Sequence, residues 1–123
     1  MEKIFTDKAP EAVGPYSQAI KVDGLVFTSG QLGIDKDGVF GDGIKAQTVN
    51  AIRNTEAILK AAGSGLDEVI KTTCYLKDIK DFAVFNEVYA EFFTNKPARS
   101  LIEAAALPKG SLVEIEVIAE RKA

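Results

Sequence analysis

The chain has 123 residues, 46% apolar and 27% charged, with 15 basic against 18 acidic side chains and a formal charge of −3. That suits one domain over residues 1–123 with a core of its own. It argues against the basic face of a nucleic-acid binder, and no apolar run approaches the ~20 residues of a membrane span. With no histidine and a single cysteine, Cys74, the chain lacks Ser-His-Asp and Cys-His nucleophiles, His-ligated metal sites and an internal disulfide framework. Any chemistry runs on carboxylates, Arg, Lys, Tyr, hydroxyls, backbone groups and water.

The first ten residues, MEKIFTDKAP, carry no apolar leader, so a cytoplasmic protein is the expectation. Residues 1–15, with Pro10, Gly14 and Pro15, read as an extended arm with a turn. Two β-prone runs flank Asp23-Gly24, a hairpin signal, and predict strands over about 16–22 and 25–32. Residues 33–43 read as a loop with a second Asp-Gly turn at 37–38. Residues 44–62 have helical periodicity, with Val49, Ile52, Leu59 and Ala62 on one stripe and Asn50, Arg53, Asn54 and Lys60 off it. Gly63 and Gly65 end that helix. Residues 68–77 are β-branched and predict a strand. Phe82, Phe85, Val88, Tyr89 and Phe92 recur at helical spacing, with Asp78 or Asp81 as the cap, and read as core. Two strands follow, about 98–106 and 111–120, joined by the segment LPKGS. The order β-β-α-β-α-β-β predicts an α+β fold: a mixed sheet with two helices on one face. The other face then needs cover, which a second copy of the chain can supply.

Most short motifs carry no chemistry. Gly38, Gly41 and Gly43 do not have the spacing of a phosphate loop, and no Lys-Ser/Thr follows them. Residues 35–38, DKDG, start like a calcium loop but lack its later acidic ligands, so no metal site is expected. Cys74 sits in a β-branched run and reads as a small buried thiol. Arg99 and Glu114 are the candidates for function. Arginine suits two-pronged capture of a carboxylate, and glutamate can hold a water. If the last two strands pair through LPKGS, these two side chains lie near each other. On pattern alone Glu114 and Glu116 equally read as a solvated strand face.

The segments GPYSQAI (14–20), TSGQLG (28–33), NTEAILKAAG (54–63), KTTCYLKD (71–78), FNEVYAEFF (85–93) and PARSLIEAAALPKGSLVEIE (97–116) together resemble the Rid family, also called YjgF-like or L-PSP-like proteins, and within it the RidA subgroup. The resemblance covers nearly the whole chain. It implies a chorismate-mutase-like (bacillus type) fold and a homotrimer whose sheets pack as a barrel, with ligand clefts between subunits. It implies hydrolysis of reactive 2-iminoacids, such as 2-iminobutanoate and 2-iminopropanoate, to 2-ketoacids and ammonia, with no cofactor. Under it, Arg99 grips the substrate carboxylate and Glu114 orients the attacking water. Tyr16 lines the cleft, Gly30 offers backbone contacts, and Glu116 has no role. Leu101 stands where many RidA members have cysteine, which argues against a thiol mechanism and leaves that position its backbone groups. Two other readings remain at this stage: a carboxylate-binding protein without turnover, and a ribonuclease or translation inhibitor.

Overall fold

In a computed structural model, residues 1–121 are described. Seven strands form one sheet: β1 (Glu2–Ile4), β2 (Ala19–Val22), β3 (Leu25–Thr28), β4 (Gln31–Leu32), β5 (Val69–Leu76), β6 (Ala98–Glu103) and β7 (Val113–Glu120). Two helices, α1 (Gly43–Ala61) and α2 (Phe82–Phe92), lie on one of its faces. The expected α+β architecture is therefore present.

Local chemistry accounts for most elements. The β2–β3 hairpin closes through Asp23 (φ 48°) and Gly24 (φ 81°), the two left-handed residues of a tight turn whose twist matches the strands. In α1, Ile52, Ile58 and Leu59 are buried, as is Ala62 at its C-cap. Asn54, placed off the apolar stripe from sequence, is buried as well, because its side-chain amide donates to the Ile34 carbonyl at 2.6 Å. A buried amide is tolerated when it closes a loop's backbone in this way. Asp78 caps the short 3₁₀ turn before α2 by accepting from the Lys80 amide at 2.9 Å. Asp81, at the N-cap of α2 itself, makes no such bond.

Three strand expectations need correction. Residues 2–4 pair with β2 as an added strand rather than running as a free arm. The strand expected over 25–32 breaks at Ser29–Gly30. Four residue steps from Phe27 to Gln31 face only three on β7, from Ile118 to Ile115, which is a bulge. The last two strands do not pair with each other. β6 lies parallel to β5, with Arg99 opposite Thr72 and Leu101 opposite Cys74, while β7 lies antiparallel on β5's other side. The sheet order is β1-β2-β3-β7-β5-β6, with β4 also on β7. A parallel pair needs a long crossover, which α2 supplies.

On β7 the odd residues Val113, Ile115, Val117 and Ala119 are buried beneath the helices. Its even residues Glu114, Glu116 and Ile118 face the sheet's open side, as alternation requires. Phe27, Tyr75 and Ile102 lie on that open side by register, and Phe27 and Ile102 are exposed.

Candidate active site

Two clusters contain the expected residues, and they lie on opposite faces of the sheet. The first is a cleft of about 620 Å³ on the open face, lined by Tyr16, Gly30, Leu32, Lys109, Glu114 and Glu116, with the arm segment Pro10–Val13 as one wall. Gln18, itself buried, fixes that wall: its side-chain amide donates to the carbonyls of Thr6 and Pro10, at 3.1 and 2.9 Å, and its oxygen accepts from the Thr6 amide at 2.7 Å. Tyr16 stands half in solvent at the cleft's edge.

The bulge at Ser29–Gly30 carries the Gly30 backbone against the Glu114 side chain, so a methyl group at this position would collide with the Glu114 carboxylate. The missing side chain of Gly30 thus leaves the room in which the Glu114 carboxylate lies, and a larger residue would displace that flexible carboxylate. Among the described residues the Glu114 carboxylate has no hydrogen-bond partner. Burial pushes its pKa up from the usual glutamate value, and the neighbouring Glu116 adds to the push. An uncommitted, desolvated carboxylate in a cleft is suited to take a proton from water. Glu116 is held by the Tyr75 hydroxyl, which donates to its Oε1 at 3.0 Å.

The second cluster surrounds Arg99 on the helix side of β6. Its Nη1 donates to Asn86 Oδ1 at 2.7 Å. Its guanidinium carbon lies 4.8 Å from the Tyr89 ring centre and 5.8 Å from that of Phe82. Arg99 has no ion pair among the described residues. Neutral groups therefore orient this cation and leave its remaining donors free for an anion. The Ala104 amide donates to the Leu76 carbonyl. In a parallel ladder alternate residues point their backbone groups the same way, so those of Arg99, Leu101 and Glu103 project from the sheet's free edge. The Leu101 amide and carbonyl thus point away from β5 on the strand that carries Arg99, while its side chain packs on the core.

Arg99 and Glu114 are thus not neighbours within one chain. β5 stands between their strands, and they project to opposite faces. The expectation that they meet across LPKGS is wrong, because that segment joins strands that flank β5. Asn86 and Phe82 were missed as site residues. A polar residue four positions after Phe82, inside an aromatic helical stripe, was the available signal. Phe82 is 39% exposed, so it is not the core residue its spacing suggested.

Cys74 fits its expected place. It is fully buried opposite Leu101, and burial pushes its thiol up to about 11. No group of three or more potential metal ligands occurs among the described residues, and no helix is long and apolar enough to cross a membrane.

Comparison with known proteins bears on the chain's family and fold. The family described as endoribonuclease L-PSP matches residues 6–121. A RutC family protein of Saccharolobus solfataricus is 50% identical over 123 residues, covering 98% of both chains. The human 2-iminobutanoate/2-iminopropanoate deaminase is 47% identical over 119 residues, covering 94% of this chain and 87% of the human one. The crystal structure of RidA from an Antarctic Psychrobacter superposes with a TM-score of 0.94 at 48% identity, covering 98% of this chain and 99% of that one. With matched motifs and fold along nearly its whole length, the chain belongs to the endoribonuclease L-PSP family, the Rid family its sequence resembles.

Proposed function

We propose that this protein is a cytoplasmic 2-iminobutanoate/2-iminopropanoate deaminase, working as a homotrimer whose sites lie between subunits. The observation that carries this reading is the split site. A cation with no acid partner sits on the helix side at one edge of the sheet, and a carboxylate with no hydrogen-bond partner sits on the open face. Neither half has a complement among the described residues. A closed ring of copies brings the edge of one protomer to the cleft of the next and completes each site. The deaminase names among relatives at 47% identity support the choice of reaction.

The chemistry needs little else. Arg99 grips the substrate carboxylate with two donors, and the Leu101 amide and carbonyl bind beside it. Tyr16 and Gly30 of the neighbouring protomer shape the other side. The carbon of the protonated imine is already electrophilic. A water held by Glu114 attacks it, and the C=N π pair moves to nitrogen as Glu114 takes a proton from the water. Glu114 hands its proton to the nitrogen of the resulting amino alcohol, which then collapses: the C–N bond breaks and ammonia leaves, the oxygen forms the C=O bond of the 2-ketoacid, and its hydroxyl proton passes to the ionised Glu114, which releases it to solvent. Atoms and charge balance without metal, organic cofactor or covalent enzyme intermediate.

The test generates iminoacid in place with a pyridoxal-phosphate-dependent dehydratase and traps what remains with semicarbazide. Faster loss of trappable imine in the presence of the protein, together with about three chain masses by light scattering, is the expected result. A stable monomer at micromolar concentration overturns the intersubunit site. Ketoacid binding without imine loss would leave a carboxylate-binding protein, and cleavage of RNA by the same purified sample would leave a ribonuclease.

A further inference from the structure

Glu116 has no role in the family resemblance, but in this structure it is not a bystander. It projects from β7 two residues after Glu114, onto the same face and into the same cleft. Tyr75 sits directly opposite Glu114 on β5, yet its hydroxyl reaches diagonally to Glu116 Oε1 at 3.0 Å. That bond keeps the second carboxylate in place beside the first, where an unheld side chain would swing away to water. Among the described residues of the same chain, the charged and titratable groups facing Glu114 are few, and on the proposed reading the neighbouring copy adds its Arg99. Glu114's own strand supplies Glu116, β5 supplies Tyr75, the arm supplies Glu11 and Tyr16, and the turn before β7 supplies Lys109. The strand on its other side, β4, supplies only Leu32.

We propose that Glu116, anchored by the Tyr75 hydroxyl, is a positioning residue that acts through Glu114: its fixed negative charge makes the Glu114 carboxylate a stronger base. The proposal rests on the deaminase reading for its consequence, but its physical content, one carboxylate acting on another, stands without it. The direction of the Glu114 shift agrees, since Glu116 is a contributor to it after burial. A general base gains efficiency as its proton affinity approaches the working pH, and a like charge nearby is one of the few means of raising it. The same charge also repels an anionic substrate, so its removal separates binding from turnover.

The experiment follows the Glu114 side-chain carboxyl by carbon NMR during a pH titration of the full chain. Its resonance is assigned by its disappearance in Glu114→Gln. Glu116→Gln is expected to move the Glu114 midpoint to lower pH. Tyr75→Phe is expected to move it the same way by less, and to add nothing when Glu116 is already Gln. In the imine assay at neutral pH, Glu116→Gln lowers kcat about two- to fivefold while KM stays or falls. A midpoint that is unchanged or raised in Glu116→Gln overturns the proposal. A Tyr75→Phe shift that persists in the Glu116→Gln background overturns the anchoring role of Tyr75. If the wild-type protein hydrolyses no imine while the midpoint still falls, the deaminase reading has failed and the coupling has not.

Discussion

The surroundings of Arg99 and of Glu114 differ in kind. Arg99 is built in by neutral partners: an amide oxygen at 2.7 Å and two aromatic faces. These groups orient its charge without neutralising it. Glu114 is built in by backbone approach and desolvation, with Gly30 pressed against it and a second carboxylate nearby. One half of the site is a pre-aimed cation; the other is a carboxylate made reluctant to ionise. The contrast teaches that each half withholds from its own chain the partner that would satisfy it. On the proposed reading, a ligand and a neighbouring copy complete both halves.

The strongest way to break this contrast is to remove the base while keeping its shape. Glu114→Gln is expected to retain ketoacid binding, measured by calorimetry, while kcat for imine hydrolysis falls about 10²- to 10⁴-fold. Loss of binding with turnover in proportion would assign Glu114 to binding alone. Arg99→Lys keeps the charge but loses the fork that binds Asn86 and, on the proposed reading, a substrate carboxylate. It is expected to cost about 2–4 kcal/mol in transition-state binding, roughly 30- to 1000-fold in kcat/KM. Wild-type kinetics for this variant would make Arg99 a surface charge.

Co-expression sharpens the contrast further. Subunits carrying Arg99→Lys and subunits carrying Glu114→Gln, assembled at random in a ring, should regain about a quarter of fully intact sites. Activity no greater than the average of the two parents would place both residues in one subunit's site, against the register of the strands.

The desolvated carboxylate also predicts a stability effect of definite sign. A pKa raised in the folded state means that folded Glu114 binds more protons than unfolded Glu114 in the window between the two values, so stability falls as pH rises through it. Above that window the ionised carboxylate is a cost. Glu114→Gln is therefore expected to melt at a higher temperature than wild type at neutral pH, with the gap closing below the ordinary glutamate value of 4.5. A lower melting temperature at neutral pH would mean that the ionised carboxylate is well solvated or paired in the folded protein.

The smallest effect is expected at Cys74, which lies among core side chains under the helices and keeps its proton at neutral pH. Cys74→Ala should leave imine turnover near wild type and cost about 1 kcal/mol of stability as a small buried cavity, measured by denaturant unfolding. Abolished turnover in a folded protein would reinstate a thiol role.

The amino-acid sequence by itself determined the elements and their faces. Alternation along 113–120 named the buried and open sides of β7, helical spacing placed both helices, and Asp23-Gly24 closed its hairpin, because these signals are local and repeat every two or four residues. The residue types also limited the chemistry: without histidine, only Arg99 and the carboxylates stood out. Tertiary structure alone decided how these parts meet. Whether β6 pairs with β7 or with β5 depends on which crossover packs α2 against the sheet, a contest between distant contacts that no local pattern records. That choice put Arg99 and Glu114 on opposite faces. The bulge that presses Gly30 onto Glu114 was equally hidden, because it arises from one surplus residue between two registers on β7 and leaves no mark in either strand alone.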